Sequence, residues 1–540
     1  MVSIDFDRWK SILIPHGLIY SFLIAVIICL IILTSVYASL WNNNKNSPRI
    51  SDSAYAVENG IIGFPPVLPN DGRHIQWTFL QMNDVYELLP LDQGRKGGLA
   101  RVAYLRELLL KENVNTITVL AGDLVSPSAI GTANINGTTL NGKQMISTMN
   151  TLGLDYMIFG NHEFDLSEKD LLARMNESRF TWISSNVFRI NSSEPFGSSI
   201  THKIITINGV RILLIGLSIE WTSTYASFIN QSSIVTYTRQ FLTKFSNGTY
   251  DVLVLLTHLD IARDIELVSN IPQIDLIMGG HEHEDYNYLR GSKFTPIYKA
   301  DANAATVFIH RCAYNIDKKR FRIYSTLARV SQEVPEEEKT AKVANYWYNL
   351  GIEVFKALGY HPEQTISCLP QGIELDGTSE SVRSSQTLLT DTICESMIAT
   401  TSDSRSTIGI FNSGAIRIDD ILRELITGYD ILRTLPFANN IIALSVPGRI
   451  LAQVLTTGMS LKGNGMFLSY TGVQTSDGGT TWFVNGTNIA TSGINYIVAT
   501  IEYAKLNTQL NNPNVTVLQN TNVTQTAALF TYLKIKYPPC

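Results

Sequence analysis

No long basic run occurs in this chain: 42 lysines and arginines stand against 47 aspartates and glutamates, a formal net charge of −5 over 540 residues. Nucleic-acid polymers are held largely by clustered positive charge, so none is expected as a partner. No two cysteines have CxxC spacing, which leaves no basis for a zinc ribbon. Cys312, Cys368, Cys394 and Cys540 allow three full pairings, and their spacing does not choose among them. The tail KIKYPPC lacks the apolar stretch that a lipid-anchor signal needs. Internal repeats are absent. Residues 11–44 contain no Asp, Glu, Lys or Arg.

That last absence leaves a long apolar run. Residues 18–38 read LIYSFLIAVIICLIILTSVYA, enough helix to cross a hydrocarbon layer of roughly 30 Å. The run exceeds the roughly 7–15 residues of a signal-peptide core. An uncleaved signal anchor is therefore expected at 17–41, after a cytosolic stub at 1–16 and before an Asn-, Pro-, Gly- and Ser-rich stalk at 42–74. Cleavage after Ala38, giving a secreted protein, is the alternative. Arg8 and Lys10 balance Lys45 and Arg49, so the flanks do not set orientation. Asn136, Asn176, Asn191, Asn230, Asn247, Asn485, Asn514 and Asn522 each begin Asn-x-Ser/Thr, which favours a body in the secretory lumen or outside the cell.

A chain of 540 residues is too long for one ordinary core, so two or more domains are expected. Apolar runs of strand length occupy 75–82, 116–121, 156–159, 211–218, 252–256 and 276–278, and a helical pattern lies at 99–111. Near-continuous apolar runs suit strands buried on both faces, and their alternation with helices predicts a layered α/β domain over 75–334. A helical connector follows at 335–362, opened by Pro-Glu-Glu-Glu. Residues 363–540 form a second α/β domain, with a strand at 441–446 and a helix at 449–456.

Short polar motifs stand where the apolar runs of the first domain stop: NDVYE at 83–87, GD at 122–123, GNHEFD at 160–165, TH at 257–258 and GGHEH at 279–283. Ligands bind beyond the carboxyl ends of strands in open α/β sheets. Asp84, Asp123, Asn161, His258, His281 and His283 supply oxygen and nitrogen donors enough for two divalent ions, of which zinc, manganese and iron suit the mixture. His162 is read as a general acid and not a ligand, with Asp165 three residues on to orient its ring. His16, His74, His202, His310 and His361 are read as solvated or capping residues. Two adjacent ions can activate water and brace a phosphate, so the pattern points to hydrolysis of phosphate esters.

These residues resemble the calcineurin-like metallophosphoesterases. Arg383, NSGAIR at 412–417, LPF at 435–437 and GMFLSYTG at 465–472 narrow the resemblance to the 5′-nucleotidase family, whose C-terminal domain binds substrate. The resemblance implies that Asp84, Asp123 and His283 hold one ion, and that Asp123, Asn161, His258 and His281 hold the other. It implies a catalytic dyad of His162 and Asp165, a grip on phosphate or sugar by Arg383, Asn412 and Arg417, and stacking of a base on Phe437. A nucleoside monophosphate is the expected substrate, and the connector is expected to permit domain motion.

Two departures stand out. The family's first motif is Asp-x-His, whereas this chain has Asp84-Val85-Tyr86. A phenol titrates near about 10 and is a poor ligand unless the metal is strongly acidic, so Tyr86 is a possible ligand and water the alternative. The family's Gly-Gly-Asp-Gly-aromatic stretch is missing, and Tyr503, the nearest aromatic, is by default a core residue. Three alternatives follow: 2′,3′-cyclic nucleotides as substrate, nucleotide sugars as substrate, or a non-catalytic ectodomain.

Overall fold

The computed structural model describes residues 62–68, 71–246 and 248–540. The stub, the anchor and most of the stalk lie outside them. Among the described residues no helix is long and apolar enough to cross a membrane.

Two six-stranded sheets make the first domain. In one, His74–Met82, Thr116–Leu120, Tyr156–Met157 and Thr181–Trp182 run parallel, and the hairpin Thr306–Asn315/Arg320–Arg329 extends the edge beside His74–Met82. In the other, Val210–Ser218, Val252–His258, Leu276–Gly279 and Thr295–Lys299 run parallel, with antiparallel His202–Ile207 and Tyr286–Arg290 at the edges. Trp77, Phe79 and Val119 of the first sheet pack against Leu214, Val254, Leu256 and Met278 of the second. The outer face of the second sheet is covered by Ile234–Leu242 and Ile261–Asn270, which bury Phe241 and Leu267 on Leu213, Leu255 and Ile277. With both faces covered, Val252–His258 is buried at every position, as its apolar run requires.

His310 departs from the sequence reading. It is fully buried on the strand Thr306–Asn315, where its Nδ1 lies 2.7 Å from Ser325 Oγ and its Nε2 2.8 Å from Gln81 Oε1. The pair of side-chain partners makes it a satisfied core histidine.

Within the stretch 335–362 expected to connect the domains lies the helix Glu338–Ala357, capped by the Glu337 carboxylate, which accepts from the backbone N–H of Lys339 and Thr340. Its Ile352 and Phe355 share one cluster with Ile130 and Ala133 of the first domain and Tyr429 and Leu432 of the second. The second domain is a five-stranded sheet in the order Leu468–Thr471, Ile408–Asn412, Asn495–Ile501, Asn440–Pro447, Thr516–Thr524. Helices Leu388–Thr400 and Gln525–Lys536 contribute to the core on one face, and Gly448–Ser460 to that on the other. A disulfide joins Cys368 to Cys540, while Cys312 and Cys394 are buried free thiols. This settles the pairing that spacing left open.

Candidate metal centre and adjoining cavity

Each motif begins where a parallel strand ends. Asp84 follows His74–Met82, Asp123 follows Thr116–Leu120, Asn161 follows Tyr156–Met157, His258 closes Val252–His258, and His281 and His283 follow Leu276–Gly279. Three donors thus come from the first sheet and three from the second. The chain turns sharply at these ends. Asp84, Asp123, His281 and His283 have φ of 52°, 57°, 93° and 70°, a left-handed region in which non-glycine residues are strained. Gly280 is required here by space: a Cβ on it would strike the Ala121 carbonyl and Asp84 Oδ2.

Asp84, Asp123 and His258 form the tightest group, with one donor atom of each within 4.8 Å of the others. His258 Nε2 lies 3.3 Å from Asp123 Oδ2 and 3.2 Å from Asn161 Oδ1. His283 Nε2 lies 3.3 Å from Asp84 Oδ1. His281 joins through its backbone N–H, donated to Asp84 Oδ2 at 2.9 Å, while its Nε2 is 3.5 Å from Asp260. Tyr86 sits inside the group: its hydroxyl is 2.9 Å from Asp123 Oδ2, 3.0 Å from His283 Nε2 and 3.4 Å from Asp84 Oδ1.

The electrostatics follow from burial. Asp84 and Asp123 are 0% and 1% exposed, and two buried carboxylates this close are costly without a cation. Burial raises both pKa values, but His258 and a second histidine (His283 for Asp84, His162 for Asp123) outweigh it and hold both below the carboxylate range. Burial lowers His258 and His283, yet their carboxylate neighbours prevail and bring them up to about 10 and about 9. Burial, then Asp123 and Asp84, push the Tyr86 phenol well above its ordinary value. The donor set of carboxylates, imidazoles and an amide oxygen fits divalent ions.

His162 stands at the rim. Its Nδ1 is 2.7 Å from Asp165 Oδ2, its backbone N–H donates to Asp123 Oδ1 at 2.9 Å, and Arg417 Nη2 lies 2.8 Å from its Nε2. Burial first, then the Arg417 charge, lowers its pKa. A cavity of about 630 Å³ opens beside it, and Asp123, Asn161, His281, Arg383, Asn412, Arg417 and Phe437 all line it. Asn412 Oδ1 is buried without a hydrogen-bond partner. His162, Asp165 and His283 line the cavity too, whereas Asp84 and His258 do not and meet the others only through the buried contacts given above.

Tyr503 is corrected: it is 44% exposed and lines this cavity with Phe437, because it sits at the start of Glu502–Asn507 and not in a strand core. Four further residues escape a reading of the sequence. Glu163, fully buried, accepts from the backbone N–H of Asp123, Leu124 and Gly160 and so ties two motif loops together. Lys299, also buried, is 3.0 Å from Asp264 and contacts Glu282, which holds the GGHEH loop. Trp221 stands edge-on to His162 at 5.8 Å between ring centroids. Asp419 lies 2.8 Å from His283 Nδ1. Of these, Glu163 is within reach of sequence, as an acidic residue inside GNHEFD beside the proposed dyad.

Residues 78–285 match the family model "Calcineurin-like phosphoesterase", and residues 366–511 match "5'-nucleotidase, C-terminal domain". The chain is 25% identical over 458 residues to the trifunctional nucleotide phosphoesterase protein YfkN of Bacillus subtilis, covering 76% of this chain and 29% of that protein. It is 22% identical over 466 residues to the 5′-nucleotidase of Bos taurus, covering 77% of each. The first curated relatives it matches are longer, and the chain spans less than half of their length. The crystal structure of a 5′-nucleotidase precursor from Thermus thermophilus shares the fold, with a TM-score of 0.70 at 18% identity, covering 86% of this chain and 97% of that one. With a calcineurin-like phosphoesterase domain followed by a 5′-nucleotidase C-terminal domain, the chain belongs to the 5′-nucleotidase family of metallophosphoesterases.

Proposed function

We propose that the protein is a phosphoesterase that hydrolyses nucleoside monophosphates to nucleoside and phosphate with two divalent ions. The observation that carries this reading is the buried group of Asp84, Asp123 and His258 beside a cavity that Asp123, Asn161, His281 and His283 line together with His162 and Arg417. Asp84, Asp123 and His283 would hold one ion, and Asp123, Asn161, His258 and His281 the other. When bound, such ions lower the pKa of water toward neutrality and compensate phosphate charge.

The chain's own residues do the rest. Arg383 and Arg417 hold the non-bridging phosphate oxygens, a task for which the planar guanidinium fork is suited. A phosphate drawing Arg417 to itself would free the His162 Nε2 lone pair and remove a charge that disfavours the imidazolium, so that Nε2 takes up a proton from solvent and passes it to the leaving oxygen while Nδ1–H stays on Asp165. Asp165 receives His162 Nδ1–H and fixes the ring, and Ser126 Oγ donates to the same carboxylate oxygen at 3.1 Å. Phe437 and Tyr503, both facing the cavity, would supply apolar surface for a base. Motion about Glu338–Ala357 would admit substrate and release product.

We place the body in an oxidising, luminal or extracellular setting, held by the anchor at 17–41. The disulfide supports this, since such bonds persist where the medium is oxidising. All seven sequon asparagines among the described residues are exposed, as attachment of a glycan requires.

The deciding experiment is a panel of AMP, 2′,3′-cyclic AMP and a UDP-sugar given to the purified protein, with metal content measured on the same sample. Two ions per chain and preferential release of phosphate from AMP are expected. Preference for either other substrate would refute the nucleotidase reading, and metal without any turnover would favour the non-catalytic ectodomain.

A further inference from the structure

The two buried histidines of the centre are oriented alike but by different means. His258 places Nδ1 at 2.8 Å from the Ala121 carbonyl, an acceptor in its own domain, and turns Nε2 toward Asp123 and Asn161. His283 places Nδ1 at 2.8 Å from Asp419 Oδ2 and turns Nε2 toward Asp84. Asp419 belongs to the other domain. Its carboxylate is itself fixed, because Oδ1 accepts the backbone N–H of Ser379 at 2.6 Å. The Asp419 side chain is 10% exposed and that of His283 is 7%, so the contact is nearly dry. Asp419 also adopts φ of 43°, a left-handed backbone held by the surrounding fold. Two residues earlier on the same segment, Arg417 reaches His162; one residue later, Asp420 lies 3.0 Å from Lys96 Nζ of the first domain.

We infer that Asp419 is a positioning residue for the metal centre: the substrate domain supplies the carboxylate that fixes the tautomer and orientation of one metal-ligating imidazole. A carboxylate on Nδ1–H leaves the Nε2 lone pair facing the ion and raises its donor strength. Only the ion held through His283 depends on this contact. The affinity of that ion is thereby tied to the seating of the second domain, whereas the ion held through His258 is oriented within the first domain alone. This rests on the two-ion reading above.

The test measures zinc and manganese binding to the full-length wild type, Asp419→Ala and Asp419→Asn by equilibrium dialysis, with kcat and KM for AMP at limiting and saturating metal. Wild type is expected to take up two ions. Asp419→Ala should keep one at wild-type affinity and bind the other about 10–100-fold more weakly, the usual cost of losing such a partner. Asp419→Asn should fall between, since its amide oxygen still accepts Nδ1–H. Excess metal should restore kcat in both with KM little changed. Unchanged affinity for both ions in Asp419→Ala overturns the inference alone. Equal loss of both ions in both variants marks a merely structural role and overturns it too. A wild type without stoichiometric metal overturns the two-ion reading and this inference together.

Discussion

Replacing His162 by alanine isolates the proton-transfer step. The imidazole approaches the cavity from the rim, braced by Asp165 at 2.7 Å, and its backbone N–H anchors Asp123 Oδ1 regardless of side chain. His162→Ala therefore removes the acid while leaving that anchor in place. The expected loss in kcat is about 10²–10⁴-fold, or roughly 3–5 kcal/mol of transition-state stabilisation. The loss should depend on the leaving group. An alkoxide such as the 5′-oxygen of a nucleoside needs a proton, whereas p-nitrophenolate leaves without one. Phosphate release from AMP and from p-nitrophenyl phosphate, compared for wild type and variant, reads the difference. Because burial and Arg417 lower the His162 pKa, the acid form is lost as pH rises through that lowered value. The wild-type kcat/KM for AMP, which reports the free enzyme, should thus fall as pH rises through that value, and the variant should lack that limb. Equal losses for both substrates would refute the role of His162 as proton donor.

Asp123→Asn should lower turnover further than His162→Ala and reduce bound metal, because this carboxylate faces His258, Tyr86 and the His162 backbone at once; elemental analysis of the purified variant checks it. In chelator-treated protein the raised pKa values of His258 and His283, from 6.5 to about 10 and about 9, add stability that is full below about pH 6.5 and is lost as pH climbs through 9–10. Metal uptake at pH 7–8 should accordingly release protons, which calorimetry in buffers of different ionisation enthalpy would detect, and affinity should rise with pH. The disulfide closes a separation of 172 residues, so Cys368→Ser combined with Cys540→Ser should cost about 5 kcal/mol on the loop-entropy account; chemical denaturation of the second domain measures it.

The motif ligands are legible in the sequence because their strands are apolar throughout and stop abruptly: five consecutive buried residues in Thr116–Leu120 end one residue before Gly122-Asp123. The outer hairpin strand Arg320–Arg329 is not, because exposed Arg320, Arg322 and Tyr324 alternate with half-buried Phe321, Ile323 and Ser325 and leave no apolar run. Tyr156–Met157 counts as a strand only through its neighbours, since two residues carry no period. In the site, Asp419 and Lys299 act across distances in sequence that no spacing rule spans. Asp419 meets a histidine 136 positions earlier, and an aspartate two residues after Arg417 reads as ordinary surface. Tyr503 misleads because apolar neighbours in sequence suggest a core strand, while the chain turns into a short helix just there.

Donors from two separate sheets meet at one end of the sandwich, and this makes bound cations a form of cross-link. Coordinate bonds from Asp84 and Asn161 on one layer and His258 on the other would staple the layers as a covalent bridge does, but reversibly and in proportion to free ion concentration. A melting temperature for this protein then has meaning only beside a stated metal activity. Loading the centre would stiffen the whole first domain, well beyond the loops that touch the ions.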